Sequence, residues 1–364
     1  MTTDAVGGVW TFTSQLAKAL VSDGCEVILV TLGPPPSALQ RASLADCVTL
    51  IESDLKLEWQ DPAGIDVDRA RSRLAKIERQ FAPDIVHLNS FREASFDWTA
   101  PVVVVAHSCV NTWAQACGQK AAFSQRRWGV YSRAIRSGLD QADVWIAPSA
   151  AFRDTVSQTY QPINAGRVIW NGIEEATAIP PAKRPIILGA GRVWDHAKNL
   201  TQLAATSATV PWPVQIAGAL CSATSRTEAV KGALYLGELP HEALLTKMQE
   251  AAVFVSPALY EPFGLTVLEA ARAGCALILS ATSTFRELWD GAALFFDPQE
   301  HGALAAALQK LCADPGARTR LQRAAAKRSA TYSLDRMAAQ YQEVYASLMA
   351  EQVVPSRTHS RVMA

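Results

Sequence analysis

No disulfide framework can be read from this sequence. Its seven cysteines, Cys25, Cys47, Cys109, Cys117, Cys221, Cys275 and Cys312, are odd in number and form no CxxC pair, and several sit in apolar runs such as Gly274-Cys275-Ala276-Leu277-Ile278. They read as reduced core thiols of a cytosolic protein, which excludes a stapled secreted scaffold. No apolar run approaches the roughly 18 residues of a membrane-spanning helix, and Met1-Thr2-Thr3-Asp4 has neither a basic nor an apolar leader segment. A cytoplasmic protein is expected, with peripheral contact to a membrane face left open. Charge of one sign is missing as well: 34 Lys and Arg balance 34 Asp and Glu, so no global field draws the chain to nucleic acid. An anionic ligand must then be held by local groups. Walker A, HExxH, GxSxG and EF-hand patterns are absent, and His196 and His301 lack metal-type neighbours, so no metal is expected.

What is present is a globular composition, 49% hydrophobic and 19% charged over 364 residues, a length that at about 100–200 residues per domain predicts two domains. Short β-branched runs alternate with longer helical patterns, the signature of parallel α/β architecture. The first half offers strands at Glu26–Leu32, Val48–Glu52, Asp84–Leu88, Val102–Ala106, Val144–Ala147 and Arg167–Ile169. The second offers Pro185–Ala190, Pro213–Ala217, Ala233–Leu236, Ala252–Ser256, Ala276–Ser280 and Ala293–Phe296. Each set suffices for a doubly wound sheet. Between them Glu174–Pro185, with its three prolines, reads as a linker. Asp297-Pro298 is expected to start a late helix and Asp314-Pro315-Gly316 to end it. Ser333–Glu351 carries apolar residues at helical spacing, and the tail from Gln352 is expected to be disordered.

Five segments could carry chemistry. In Tyr260-Glu261-Pro262-Phe263-Gly264-Leu265-Thr266-Val267-Leu268-Glu269, Pro262 and Gly264 break the chain before a helix over Leu265–Arg272. Backbone N–H groups at that helix start suit an anion, and Glu261 and Glu269 could bond different hydroxyls of one extended ligand. A solvated loop acid with a helix-surface acid is the bland alternative, outweighed by the Pro-Phe-Gly turn. In Ile186–Leu200 a strand ends in Gly189 and Gly191, followed by Arg192 and Lys198, two cations able to neutralise a diphosphate. Trp194 stands at the third glycine position and defeats a dinucleotide fingerprint. Gly7-Gly8, before an amphipathic helix with Phe12, Leu16, Ala19 and Leu20, could offer amides to the same phosphates, or simply form a tight turn. Only three residues precede Asp4, too few for the strand such a loop follows, so a truncated or misassigned start is expected. His107 ends the run Val102–Ala106, where α/β folds bind ligands, and is equally readable as a packed histidine; His87 is a weaker case. Thr112–Arg136 mixes Trp113, Trp128 and Tyr131 with Lys120, Arg126, Arg127, Arg133 and Arg136 and reads as a solvated basic helix with aromatic anchors, or as an acceptor or membrane-surface contact.

Taken together these residues resemble the retaining glycosyltransferases of family 4. The resemblance runs through Gly7-Gly8-Val9, Asp84-Ile85-Val86-His87, His107-Ser108, Val168–Ile173, Gly191-Arg192, Lys198 and the Glu261–Glu269 block. It implies the GT-B fold, with two Rossmann-like domains facing a cleft: residues 1–177 on the acceptor side, 178–332 on the nucleotide-sugar side, a helix over 333–351 crossing back to the first domain, and a tail over 352–364. It further implies transfer of a hexose-type sugar from a nucleotide diphosphate sugar to a carbohydrate or lipid-linked acceptor, without metal or cofactor. Glu269 would hold the ribose and Glu261 the sugar hydroxyls, assisted by amides around Phe263, Gly264, Leu265 and Thr266. Arg192 and Lys198 would stabilise the leaving diphosphate, with Gly7 and Gly8 opposite, and His107 would lie near donor sugar and acceptor. The rival readings are an epimerase or phosphorylase on the same fold, a non-catalytic nucleotide-sugar binder and, more remotely, a dehydrogenase. Three positions depart from the family pattern: Trp170 replaces a common proline, Asn199 a common glycine, and Ser283–Glu287 a Gly-Gly turn.

Overall fold

The computed structural model describes residues 1–174, 182–221 and 227–353. Most of the linker (175–181) and of the tail (354–364) lies outside them. In the first half, β1 (Thr2–Asp4), β2 (Val27–Leu32) and β3 (Val48–Ile51) form one parallel sheet; β4 (Val86–Leu88), β5 (Val102–Val105), β6 (Val144–Ala147) and β7 (Arg167–Val168) form another. In the second, β8 (Arg184–Ala190), β9 (Val214–Ala217), β10 (Leu234–Gly237), β11 (Ala251–Ser256), β12 (Ala276–Ser280) and β13 (Ala293–Phe296) make one six-stranded parallel sheet in the order 10-9-8-11-12-13. Central strands such as Val102–Val105 and Ala276–Ser280 are buried throughout, as parallel sheets covered on both faces require.

The expectation that the residues before the Gly7-Gly8 loop are too few for a strand is overturned by the fold. Thr2–Asp4 is a strand, β1, paired in parallel with Val30–Leu32. On its other side β1 meets β4, joined there by one residue: the Asn89 backbone N–H donates to Thr2 Oγ1 at 3.0 Å and its side-chain Nδ2 to the Thr2 carbonyl at 2.7 Å. Three residues suffice because β2 supplies the strand pairing and Asn89 ties the other edge.

Two further expectations need correction. Asp297-Pro298 forms a turn in which Asp297 Oδ1 accepts from Gln299 N at 2.8 Å; the helix Ala303–Ala313 starts only after Gly302, whose φ of +83° interrupts the chain. Asp314 ends that helix as expected, and it also opens another, Pro315–Ser329, accepting from Ala317 N at 2.8 Å with proline in the first turn. Of the cysteines, only Cys109, Cys117, Cys275 and Cys312 are buried; Cys25, Cys47 and Cys221 are exposed.

The chain crosses between the sheets at two places that lie side by side. Ile173 bridges Ser333 in parallel, with Leu334 N donating to the Ile173 carbonyl at 3.0 Å. The helix Leu334–Val353 then sets Met337, Tyr341, Val344 and Leu348 against Phe12, Leu16 and Leu20 of the helix Gly8–Ser22. Trp170, in place of the family's proline, packs edge-on against Tyr332 and lies under the Arg336 guanidinium, so the substitution is absorbed in the aromatic packing of the crossing.

Candidate active site

β11 delivers the chain to a loop that turns on Gly264. This glycine has φ +94°, and a Cβ there would lie 3.0 Å from the Phe285 ring and 3.3 Å from Glu261 Cγ, so both conformation and space call for glycine. Val267 N and Leu268 N bond the Gly264 carbonyl at 3.0 and 3.1 Å. The amides of Leu265 and Thr266, in the first turn of the helix Leu265–Arg272, have no carbonyl of their own helix to bond. Phe263 contributes its backbone to this turn while its ring is buried against Tyr332.

Glu261, in that loop, is paired with Lys198: Nζ to Oε2 is 2.6 Å, with both side chains partly buried. Lys198 ends a short turn that follows β8, and Asn199 comes next at φ 51°. That left-handed conformation explains how asparagine stands where relatives commonly have glycine, since it is among the few side chains that tolerate it.

Arg192 makes a 2.6 Å ion pair with Asp195, stacks over Trp194, and keeps a buried Nε with no partner among the described residues. Its guanidinium rests on the first domain: a Cβ on Gly7 would lie 2.7 Å from Arg192 Nη1, and one on Gly8 would lie 3.6 Å from Leu265 Cδ1. The starts of the helices Gly8–Ser22 and Leu265–Arg272 therefore approach each other across the cleft. Their dipoles carry positive partial charge at those ends, and Arg192 and Lys198 add two cations. Such a place attracts an anion.

Asp195 is buried and locked from both domains, accepting from Trp113 Nε1 at 3.2 Å and Ala197 N at 3.0 Å. Burial works to raise its carboxyl, but the charge and hydrogen bond of Arg192 hold it below the ordinary range. Asp4, by contrast, is pushed up to about 6 by burial, against the Val6 amide and the Arg192 charge.

His107 follows β5, and burial lowers it to about 3, so it is neutral. Asn89 Nδ2 donates to Thr2, which leaves Oδ1 to accept from His107 Nε2 at 2.7 Å. The proton is therefore on Nε2, and Nδ1 is left to accept. His87 is buried against Tyr345, 2.6 Å from its hydroxyl, and is a packing residue.

Glu269 stands apart from the Lys198 cluster. It is 6% exposed, His241 Nε2 lies 3.7 Å from its Oε1, and burial raises its carboxyl to about 8. His241 begins the helix that follows the Gly237–Leu239 loop after β10. A cleft of about 620 Å³ is lined from one domain by Gln115, Cys117 and Gly118 and from the other by His196, Asn199, Gln202 and Pro298; Arg192, Lys198 and Glu261 are not among its lining residues. Among the described residues no group of three His, Cys, Asp or Glu side chains gathers as a metal site would, and no helix is long and apolar enough to cross a membrane.

Sequence reasoning missed Asp195, Asn89, His241 and Tyr260. Asp195 alone carried a local signal, a carboxylate three residues after Arg192; the others act through residues distant in the chain. In the region Thr112–Arg136, two helices, Val110–Ala116 and Arg126–Gln141, replace the single expected one, with Tyr131 buried and Trp128 edge-on to Phe123 and Tyr131.

Two parallel-sheet domains meeting at a cleft of this kind define the GT-B architecture. A family model described as Glycosyltransferase Family 4 matches residues 6–177, and one described as Glycosyl transferases group 1 matches residues 177–328. The chain is 26% identical to a glycogen synthase of Mycobacterium tuberculosis, over 89% of this chain and 86% of that protein. In fold it is similar to a sucrose-phosphate synthase from Thermosynechococcus elongatus, with a TM-score of 0.78 at 20% identity over 94% of this chain and 93% of that one. It is also similar to Anabaena HepE in complex with UDP-glucose, with a TM-score of 0.71 at 15% identity over 95% of this chain and 100% of that one. This chain belongs to the family 4 type of glycosyltransferases, and it is a transferase.

Proposed function

We propose that the protein transfers a hexose-type sugar, with retention of configuration, from a nucleotide diphosphate sugar to a carbohydrate or lipid-linked acceptor, using neither metal nor cofactor. The observation that carries this reading is the convergence of Arg192, Lys198 and two helix starts on one place beside Glu261. A diphosphate there would take Lys198 Nζ and the exposed part of the Arg192 guanidinium, with the Gly7-Gly8 and Leu265-Thr266 amides on either side. Glu261 would then be free to accept from sugar hydroxyls, and Glu269 from the ribose. The likeness to HepE bound to UDP-glucose supports a nucleotide sugar as donor. The cleft lined by Gln115, Asn199 and Gln202 has uncharged polar groups suited to an acceptor's hydroxyls.

In this reading the acceptor hydroxyl attacks the anomeric carbon on the face from which the diphosphate leaves, and its proton passes to a phosphate oxygen. Arg192 and Lys198 take up the charge released on the leaving group, so pre-aligned positive charge supplies the acceleration. Neutral His107 offers Nδ1 to a sugar hydroxyl and does not act as a cation.

Thermal shifts against uridine, guanosine and adenosine diphosphates identify the base, since a ligand at 100 times its Kd adds about 2.7 kcal/mol of stability. With the matching donor, Lys198→Ala and Glu261→Ala should each abolish transfer, the second with nucleoside diphosphate binding largely kept. Full activity in either variant overturns the assignment, and sugar isomerisation without an acceptor would mark an epimerase.

A further inference from the structure

Glu261 sits between two residues that are both bonded to the opposite domain. On one side, the Tyr260 hydroxyl accepts from Cys109 N at 3.2 Å and lies 2.8 Å from Thr112 Oγ1. Thr112 Oγ1 is itself placed to donate to the Cys109 carbonyl at 3.1 Å, so Tyr260 donates to Thr112. The Tyr260 ring meets Phe152 edge-on. On the other side, the Pro262 carbonyl accepts from Ser149 Oγ at 2.7 Å, and Ser149 is completely buried. A little further on, Glu287 reaches across the same seam. Its two oxygens accept from Ala150 N at 2.9 Å and Ala151 N at 2.7 Å, so a carboxylate of the second domain caps the helix Ala150–Tyr160 of the first. Glu287 lies in the helix Ser283–Trp289, capped by Thr282, that stands in place of the family's Gly-Gly turn.

These bonds exist only while the two domains are in contact. If the seam opens, Ser149, Tyr260 and Glu287 exchange protein partners for water. The loop from Leu259 to Gly264 then loses the two side-chain anchors that flank its carboxylate. The phosphate-facing groups Arg192 and Lys198 follow β8, and neither is a partner of the Tyr260 or Ser149 hydroxyl; Lys198 meets the loop through its pair with Glu261.

We propose that Tyr260 and Ser149 are positioning residues that couple domain contact to the placement of Glu261, so that the sugar of the donor is gripped only in the closed protein, while the groups that meet the diphosphate do not depend on these two hydroxyls. The inference rests on the functional reading above for the role of Glu261, but the coupling itself is a property of the seam. Glu287 supports the seam from the second domain.

The test uses the full chain. Tyr260→Phe removes one hydroxyl and keeps the ring; Ser149→Ala removes the other donor; Glu287→Gln weakens the seam at a distance from Glu261. In the unliganded protein, amide hydrogen exchange over residues 258–266 should rise by about tenfold in each variant, as expected when a buried hydrogen bond is lost. With the nucleoside diphosphate chosen by the thermal-shift panel, affinity should stay within about twofold of wild type, while affinity for its glucose derivative and kcat fall by about tenfold or more. Adding Tyr260→Phe to Glu261→Ala should bring no further loss of sugar-nucleotide affinity. Unchanged exchange over 258–266 in all three variants overturns the coupling. An equal fall in nucleoside diphosphate and sugar-nucleotide affinity also overturns it, because a merely structural role would weaken both alike. Because exchange is read without ligand, it judges the seam even if no nucleotide in the panel binds, which would count against the functional reading alone. Should Ser149→Ala fail to fold, Tyr260→Phe and Glu287→Gln decide.

Discussion

Alanine at Gly7 should disable the enzyme, whereas alanine at Gly8 should leave it close to wild type. Gly7 caps the helix Gly8–Ser22 with φ 75° and ψ −143°, a region nearly restricted to glycine that costs a larger residue about 1–3 kcal/mol. Its new Cβ would stand 2.7 Å from Arg192 Nη1, so the guanidinium must leave. That movement pulls on the 2.6 Å pair with Asp195 and withdraws a charge-assisted contact from the leaving group. A contact of that kind is worth about 1.5–3 kcal/mol, or about 10–150-fold in kcat/KM. At Gly8 the added Cβ would meet only Leu265 Cδ1, at an ordinary 3.6 Å, and a helical glycine gains about 0.5–1 kcal/mol on becoming alanine. Thermal melting and kcat/KM on the donor selected by the thermal-shift panel measure both variants. If Gly7→Ala keeps full kcat/KM, or if the two variants fall equally, then the contact of Arg192 with the first domain is not what holds the diphosphate.

Three other outcomes follow from buried charge. Arg92 is 4% exposed and bonded to Glu93 and Asp61; Arg92→Met leaves those carboxylates buried and unpaired, which should cost about 3–5 kcal/mol in urea unfolding with the m-value unchanged. Glu269, raised by burial from 4.5 to about 8, destabilises the protein progressively as pH rises between those values and not below them. Glu269→Gln should therefore match wild-type stability near pH 4 and exceed it at pH 8 by no more than about 5 kcal/mol, while losing donor affinity. A wild-type advantage in stability at pH 8 would refute the burial argument. His87 and His107 are both lowered by burial from 6.5 to about 3, so the unfolded chain binds protons first, and stability should fall as pH drops below about 6.5. Nitrogen NMR of His107 should show a neutral ring unchanged between pH 7 and pH 5.

Much of the fold was legible because strand and helix patterns belong to contiguous chain. Val144–Ala147, Ala276–Ser280 and Ala293–Phe296 coincide with their predicted strands, and Leu265–Arg272 with its helix. The Pro-Phe-Gly turn likewise announced an anion-ready helix start, since Gly264 carries its conformational demand locally. β1 escaped notice because its evidence lies elsewhere, in β2 and in the side chain of Asn89. The pairing of Lys198 with Glu261, at 2.6 Å, followed from neither segment alone.

The sequence by itself determined the parallel α/β class, the loop chemistry after β8 and β11, and which side chains have the charge to meet a diphosphate. Only the tertiary structure decided which of those groups meet. It set Gly7 against Arg192, held Asp195 from both domains, tied Tyr260 and Pro262 to the far side of the cleft, and left Glu269 beside His241. The reason is physical: a glycine's backbone freedom or a strand's alternation is written in neighbouring residues, whereas contacts across a cleft depend on how two separately folded sheets dock, and no local pattern records that.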